Sequence, residues 1–167
     1  MDIQNLYSLF QSSKGVSIDS RSIKKDEIYF SIKGENFDGN SFALDALDLG
    51  AKISIVDDPK LKNQNDKIIF VENSLKELQN LSKYNRSKSD VKIIGLTGSN
   101  GKTTTKNLIC NILSQKYNTL CTYGNLNNHI GVPLTLLNIK PDTEIAVIEM
   151  GANHIGEIEN LCQICMP

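Results

Sequence analysis

The chain has 167 residues, 40% of them hydrophobic and 22% charged, with a formal net charge of −1. That supplies a packed core for one domain or two small ones, and the near-neutral balance gives no electrostatic case for nucleic acid or an anionic membrane. No apolar run approaches the roughly 20 residues of a membrane span. The opening residues, MDIQNLYSLFQSS, carry an acid at position 2 and no basic segment ahead of an apolar core. A signal peptide is therefore not expected, and a cytoplasmic protein is.

In chain order, residues 27–32 (EIYFSI) alternate as a strand does. Residues 41–50 (SFALDALDLG) read as a helix that stops at Gly50, a common residue just past a helix end. Residues 52–56 (KISIV) are β-rich and run into the turn DDP, and residues 67–71 (KIIFV) form another strand. SLKE at 74–77 is a capping box, and its helix is expected to run to about Tyr84. NRSKSD (85–90) is polar and aperiodic, which places a domain boundary there and gives units 1–85 and 86–167. Arginine occurs only as Arg21 and Arg86.

The second unit opens on IIGLTGSNGKTTTKN (93–107). Val91, Ile93, Ile94 and Leu96 read as a short buried strand, and Leu108, Ile109, Ile112 and Leu113 as one apolar helix face. A strand, a glycine-rich turn and a helix make an anion trap, because the first N–H groups of the helix lack partners within it and its dipole favours negative charge there. Lys102 can reach β- and γ-phosphates, and the Thr103 hydroxyl can ligate Mg²⁺. The strict pattern G-x-x-x-x-G-K-[ST] asks for glycine at position 96. Leucine stands there, with glycines at 95 and 98, so the loop is a variant of that pattern, the plainer alternative being an ordinary turn before a helix.

Residues 118–123 (NTLCTY) are a candidate strand, and GNLNNHIGVP (124–133) is too rich in amides for a core element. GVPLTLLN reads as a short helix with Pro133 in its first turn. Residues 144–151 (EIAVIEMG) read as a buried parallel strand and 154–165 (HIGEIENLCQIC) as a helix. Alternating strands and helices predict an α/β fold with a parallel sheet, in which ligands sit at the carboxyl ends of strands. Glu149 closes its strand at that edge, where an acid suits Mg²⁺ beside Thr103; a solvated strand-end carboxylate is the alternative. Asn125, Asn127, Asn128, His129 and His154 are expected near the same edge, as groups for a peptide or carboxylate substrate rather than a metal; a plain polar surface histidine is the alternative for His129 and for His154. The four cysteines are expected as free thiols. Cys162 and Cys165 form C-x-x-C, but they share helical spacing with Ile158 and Leu161, so a buried helix face is expected rather than a zinc or redox site.

TGSNGKTT (97–104) resembles the phosphate loop of the Mur ligases, ATP-dependent enzymes that build the peptide of the bacterial cell wall, including their departure from the strict pattern. GNLNNHIGVPLTLL (124–137) and VIEMGANHIGEI (147–158) are similar to the branch of that family that adds D-alanyl-D-alanine. IDSRSIKKDEIYFSIKGENFDGNSF (18–42) resembles the family's nucleotide-sugar-binding domain, without separating this branch from the diamino-acid-adding one. The resemblance runs from Ile18 to Pro167. It implies a small N-terminal α/β substrate domain followed by the start of a parallel-sheet P-loop ATPase domain. It also implies transfer of the ATP γ-phosphoryl group to the terminal carboxylate of UDP-MurNAc-tripeptide, attack of the D-Ala-D-Ala amine on the acyl phosphate, and loss of phosphate, mostly by positioning and charge stabilisation. On that basis Thr97, Gly98, Ser99, Asn100, Gly101, Lys102, Thr103 and Thr104 would bind ATP. Lys102 and Glu149 would be catalytic, with Thr103 and Glu149 on Mg²⁺. Asn125, Asn127, Asn128, His129 and His154 would lie near the substrate acceptor group. Ser20, Arg21, Lys33 and Gly34 would contact the UDP part, where the fork of Arg21 suits a phosphate or a uracil carbonyl.

Enzymes of the family are far longer and carry a further C-terminal domain, so the expectation is an N-terminal fragment, ending inside the ATPase domain and inactive alone. Two other readings stay open: a catalytically silent module that binds UDP-MurNAc-peptides through residues 1–85, and another P-loop NTPase that needs no UDP-sugar. A monomer with no nucleic-acid partner and no membrane insertion is expected.

Overall fold

The first helix, α1 (Ile3–Gln11), turns Leu6 and Phe10 inward, the i, i+4 spacing of a single helix face. The computed structural model describes all 167 residues, which divide into the units Met1–Leu81 and Ser82–Pro167. After α1 come strand β1 (Val16–Ser17), β2 (Ile28–Phe30), a hairpin of β3 (Lys33–Gly34) and β4 (Phe37–Asp38), helix α2 (Ala43–Asp48), and strands β5 (Ile53–Val56) and β6 (Ile68–Phe70). The sheet of the first unit runs β1-β2-β5-β6 and is parallel throughout. Residues 27–32 alternate in sequence, yet Ile28, Tyr29 and Phe30 are all fully buried, because a parallel strand inside such a sheet is covered on both faces. Tyr29 and Val56 pack with Ala43, Ala46 and Ala51. Ser54 Oγ, buried on β5, donates to Ala43 O at 2.8 Å and ties α2 to the sheet.

Helix α2 is shorter than its sequence pattern, because residues Gly39–Phe42 form a 3₁₀ turn in which the Asp38 carboxylate accepts from Asn40 N–H at 2.9 Å. Its far end is as read, with Gly50 N–H donating to Leu47 O at 3.0 Å. Helix α3 (Ser74–Ser87) runs beyond Tyr84 into the polar segment. Its cap differs from the expected box: Asn73 Oδ1, not Ser74, accepts from Lys76 N–H at 2.8 Å. Ser74 is already inside the helix and buried, its N–H on Asp57 Oδ2 at 3.2 Å. Asparagine caps at least as well as serine, so the cap lies one residue early, and with Lys76 at the third helical position no reciprocal box forms. The element α1, the two-residue β1 and the β3–β4 hairpin had no counterpart in the sequence reading; the strands among them are too short to show a period.

In the second unit, β7 (Lys92–Leu96), helix α4 (Lys102–Leu113), β8 (Thr119–Cys121), α5 (Gly131–Leu136), β9 (Ile145–Glu149) and α6 (Glu157–Cys165) follow in order. The sheet order is β7-β9-β8, again parallel. β9 sits in the middle and is buried along its whole length. β7 is at an edge of this sheet, and the expectation of a buried strand holds only for Val91 before it; Ile94 is 38% exposed. Helix α4 is rotated from its expected face. Leu108 and Ile112 point outward, while Lys106 and Cys110 are buried and Ile109 and Leu113 half-buried. The inward stripe is therefore 106, 109, 110, 113, the i, i+3, i+4, i+7 spacing of a packed helix, with a lysine in it.

Two further details differ from the sequence reading. Cys110 on α4 and Cys121 at the end of β8 form a disulfide, so only Cys162 and Cys165 are free thiols. The expectation rested on compartment alone, whereas the β-α-β crossover brings these two side chains together. The C-x-x-C pair does lie on the inner side of α6: Cys165 is fully buried with Sγ 3.7 Å from Met150 Sδ, and burial pushes its thiol up to about 11. Arg86 is a helix-end cap, donating from Nε to Cys165 O at 3.0 Å, from Nη2 to Met166 O at 3.2 Å and from Nη1 to Ser89 O at 2.7 Å. No helix is long and apolar enough to cross a membrane.

Candidate functional site

The phosphate loop leaves β7 at Leu96 and enters α4 at Lys102. Gly101, the residue before the helix, has φ +75°, a conformation that L side chains adopt only at a cost. Gly95 lies against the neighbouring strand end: a Cβ there would stand 2.8 Å from Met150 Cε, the tip of a flexible side chain that can shift. Thr105 N–H donates to Gly101 O at 2.9 Å, and the N–H groups of Lys102, Thr103 and Thr104 ahead of it form the free end of the helix. Lys102 Nζ donates back to Gly98 O at 2.5 Å, which holds its ammonium over the loop.

Parallel register then sets the second half of the site. Leu96 on β7 pairs with Glu149 on β9, and Met150 N–H donates to Leu96 O at 2.8 Å. Glu149 is therefore fixed beside the start of the loop. Thr103 Oγ1 donates to Glu149 Oε1 at 3.2 Å, and Asn127 Nδ2 donates to the same oxygen at 2.8 Å. Glu149 N–H is held by Thr122 Oγ1 at 2.9 Å. The carboxylate is 1% exposed, so it is not a solvated strand end. Lys106 Nζ lies 3.3 Å from Glu149 Oε2, close enough for an ion pair but without the alignment of a hydrogen bond, and Oε2 has no hydrogen-bond partner. Burial pushes the Glu149 carboxyl up, but hydrogen bonds from Asn127 and Thr103 and the Lys106 ammonium outweigh it and hold the group below the usual glutamate value.

These donors fit a magnesium ion. Two hard oxygen donors, Thr103 Oγ1 and the Glu149 carboxylate, adjoin beside the phosphate loop. There is no cluster of three or more metal-binding side chains. Mg²⁺ does not need one, since it keeps waters and commonly takes one or two carboxylates plus phosphate oxygens.

The amide-rich loop is divided in its roles. Asn127 turns its side chain to Glu149, and its main-chain carbonyl accepts from Gly151 N–H at 2.7 Å. Asn128 Oδ1 accepts from Ile130 N–H at 3.1 Å and Gly131 N–H at 2.9 Å, and so caps α5. Asn125, His129 and His154 are exposed. Glu157, absent from the sequence reading, gathers the next loop: its Oε2 accepts from Asn153 N–H at 2.7 Å and His154 N–H at 3.2 Å. Those two bonds are the main cause that holds its carboxyl below the usual value. The other residue missed was Lys106. The signal for it was its place three residues after Thr103, on the same side of one helix.

The first unit holds the remaining candidates. Ser20 is buried in the 3₁₀ turn Ser20–Ser22. Asp19 accepts from Arg21 N–H at 3.0 Å, and the guanidinium meets it fork to fork, Nε on Oδ1 at 2.9 Å and Nη2 on Oδ2 at 2.8 Å. Lys33 and Gly34 lie on the hairpin, paired with Asp38 and Phe37. Lys33 Nζ is 3.1 Å from Asp57 Oδ1. Behind the hairpin, buried Asn40 donates from Nδ2 to Asp38 Oδ1 at 2.7 Å and to Asp57 Oδ1 at 2.9 Å, and accepts from Asp57 N–H at 3.0 Å. Burial raises the Asp57 carboxyl, and its bonds from Asn40, Ser74 N–H and Lys33 hold it below its ordinary value all the same.

Comparison with known proteins gives the family. Residues 12–86 match the model of the Mur ligase family, catalytic domain, and residues 96–167 match the Mur ligase middle domain. A UDP-N-acetylmuramoyl-tripeptide–D-alanyl-D-alanine ligase of Bacillus subtilis is 41% identical over 155 residues, 92% of this chain and 34% of that protein. Its Escherichia coli counterpart is 41% identical over 149 residues, 86% of this chain and 31% of that protein. Among solved structures, MurF from Acinetobacter baumannii superposes with a TM-score of 0.87 at 35% identity, over 99% of this chain and 39% of that one. MurF ligase from Thermotoga maritima, solved in complex with ADP, gives 0.81 at 34% identity, over 93% and 36%. The chain thus spans about a third of the length of the curated relatives it matches. Its α/β units with their parallel sheets and its two matched segments lead to one conclusion: the chain belongs to the Mur ligase family.

Proposed function

We propose that this chain carries the UDP-MurNAc-peptide-binding unit, residues 1–85, and part of the ATP-binding unit, residues 86–167, of a cytoplasmic, monomeric ligase. That ligase adds D-alanyl-D-alanine to UDP-MurNAc-tripeptide through an acyl phosphate, in peptidoglycan precursor synthesis. The observation that carries the reading is the corner where Thr103, Asn127 and Lys106 converge on the buried Glu149 beside the phosphate loop. A carboxylate is a poor electrophile for amide formation; once phosphorylated, it loses phosphate when the amine attacks, and ADP, phosphate and the amide result. The free N–H groups at the start of α4 would cradle phosphate. Lys102 would neutralise charge on the β- and γ-phosphates as it builds up in transfer. Thr103 and Glu149 would hold Mg²⁺, which when bound supplies a counter-charge to the phosphate oxygens. Asn125, Asn127, Asn128, His129 and His154 would order the acceptor carboxylate, and Ser20, Arg21, Lys33 and Gly34 the UDP part.

Calorimetric titration of the 167-residue chain with UDP-MurNAc-tripeptide, and with UDP as the control, tests the substrate half of this reading. Saturable binding stronger than that of UDP is the expected result. No binding by a chain that melts cooperatively would overturn the assignment of the first unit.

A further inference from the structure

Lys106 is 3% exposed, and the carboxylate it faces is 1% exposed. Its ammonium has two neighbours, Glu149 Oε2 at 3.3 Å and the carbonyl of Gly124 at 3.2 Å. One side chain thereby joins the phosphate-loop helix, the end of the central strand and the start of the amide-rich loop. The other carboxylate oxygen is already fixed by Asn127 and Thr103. We infer that Lys106 is a positioning residue: its ammonium holds the Glu149 carboxylate and the Gly124 end of the loop in the arrangement that accepts a divalent cation. The inference rests on the reading that Glu149 and Thr103 hold Mg²⁺. Stability alone does not account for the lysine. A buried ion pair is commonly no more stable than a well-packed apolar pair of the same volume, whereas removing one partner strands the other charge. What the charge does accomplish here is orientation. Residues behind a metal ligand set its direction, and their loss typically weakens metal binding about 10- to 100-fold.

The test is ADP binding to the 167-residue chain by calorimetry, with Mg²⁺ and with Mg²⁺ removed by chelation. Thermal melts are run on each variant: Lys106→Met, Lys106→Arg, Glu149→Gln and the double variant Lys106→Met/Glu149→Gln. The wild type is expected to bind ADP more tightly with Mg²⁺, and Glu149→Gln to lose that gain. Lys106→Met should reduce the gain about tenfold or more, with Mg²⁺-free affinity within about twofold of wild type, and Lys106→Arg should recover part of it. In the Glu149→Gln background, where the metal gain is already absent, Lys106→Met should leave Mg²⁺-free ADP affinity unchanged. Should Lys106→Met fail to melt cooperatively, Lys106→Arg and the double variant, which leaves no stranded charge, decide together: a reduced Mg²⁺ gain in the first with unchanged metal-free affinity in the second is the expected result. A fall in metal-free affinity in the double variant overturns the inference, as does a full Mg²⁺ gain in Lys106→Met or an equal loss with and without the metal. A full Mg²⁺ gain in Glu149→Gln, or none in wild type, instead sinks the metal reading itself and the inference with it.

Discussion

Asn40 offers the clearest prediction for the first unit. Its buried amide bridges the Asp38 and Asp57 carboxylates at 2.7 and 2.9 Å and accepts the Asp57 N–H at 3.0 Å. Hydrogen bonds to charged groups contribute about 1.5–3 kcal/mol each, and neutral ones about 1. Asp38 is exposed and Asp57 only partly buried, so water recovers some of the loss, and Asn40→Ala should destabilise the unit by about 2–4 kcal/mol. The pH dependence follows from Asp57, whose folded carboxyl sits below its unfolded value partly because of Asn40. A depressed carboxyl contributes stability above its unfolded pKa and loses it as pH falls through the folded one. The gap between wild type and Asn40→Ala should therefore be widest near neutrality and narrow as Asp57 becomes protonated in acid. Urea unfolding followed by circular dichroism at several pH values measures this. A constant gap across that range would refute the account of Asp57, and a gap under about 0.5 kcal/mol at pH 7 would refute the account of Asn40 as the link behind the hairpin.

Other perturbations separate structural from functional roles. Arg86→Ala should cost about 1–2 kcal/mol through the lost cap of α6, with Arg86→Lys restoring only part because three acceptors need a fork; equal melting temperatures for all three proteins would contradict this. In a full-length ligase carrying this sequence, Lys102→Ala should lower kcat by orders of magnitude, since a counter-charge to the transferring phosphate is gone, and a near-wild-type kcat would remove Lys102 from the mechanism. Arg21→Ala should mainly raise KM for the UDP substrate, as lost ground-state binding does, and should leave the melt unchanged because its pair with Asp19 is exposed. An unchanged KM with a lower kcat would contradict that assignment.

From residue 27 on, most strands and helices were legible in their apolar runs, whereas the nine-residue α1 was not read at all. Residues 145–149 are β-branched or small and end in Glu149, and they form the buried central strand that such a run predicts. Where the reading went astray, a short or mixed pattern was at fault. The hairpin carrying Lys33 and Gly34 has two residues per strand, which is too few for any period to show. Asn73 and Ser74 are both competent caps, and only the burial of Ser74 chooses between them. On α4, a search for apolar residues favours Leu108 and Ile112, which are exposed, over Lys106, which is not.

That last error has a physical content that reaches the site. Burial is normally read from hydrophobicity, and a lysine is almost never fully buried unless paired. The pairing partner of Lys106 stands 43 residues later, at the end of a different strand, so the spacing of Lys106 from Thr103 shows the side of the helix it shares but not its burial. Glu149 was conspicuous as an acid ending an apolar strand; its complement was not, because the helix period that places residue 106 over the strand ends is blind to charge. Once the register sets Leu96 beside Glu149, residues 103 and 106, three apart on α4, both reach the same carboxylate. The helix that leaves free N–H groups at its first turn thus delivers, one turn further on, the ammonium that faces the acid.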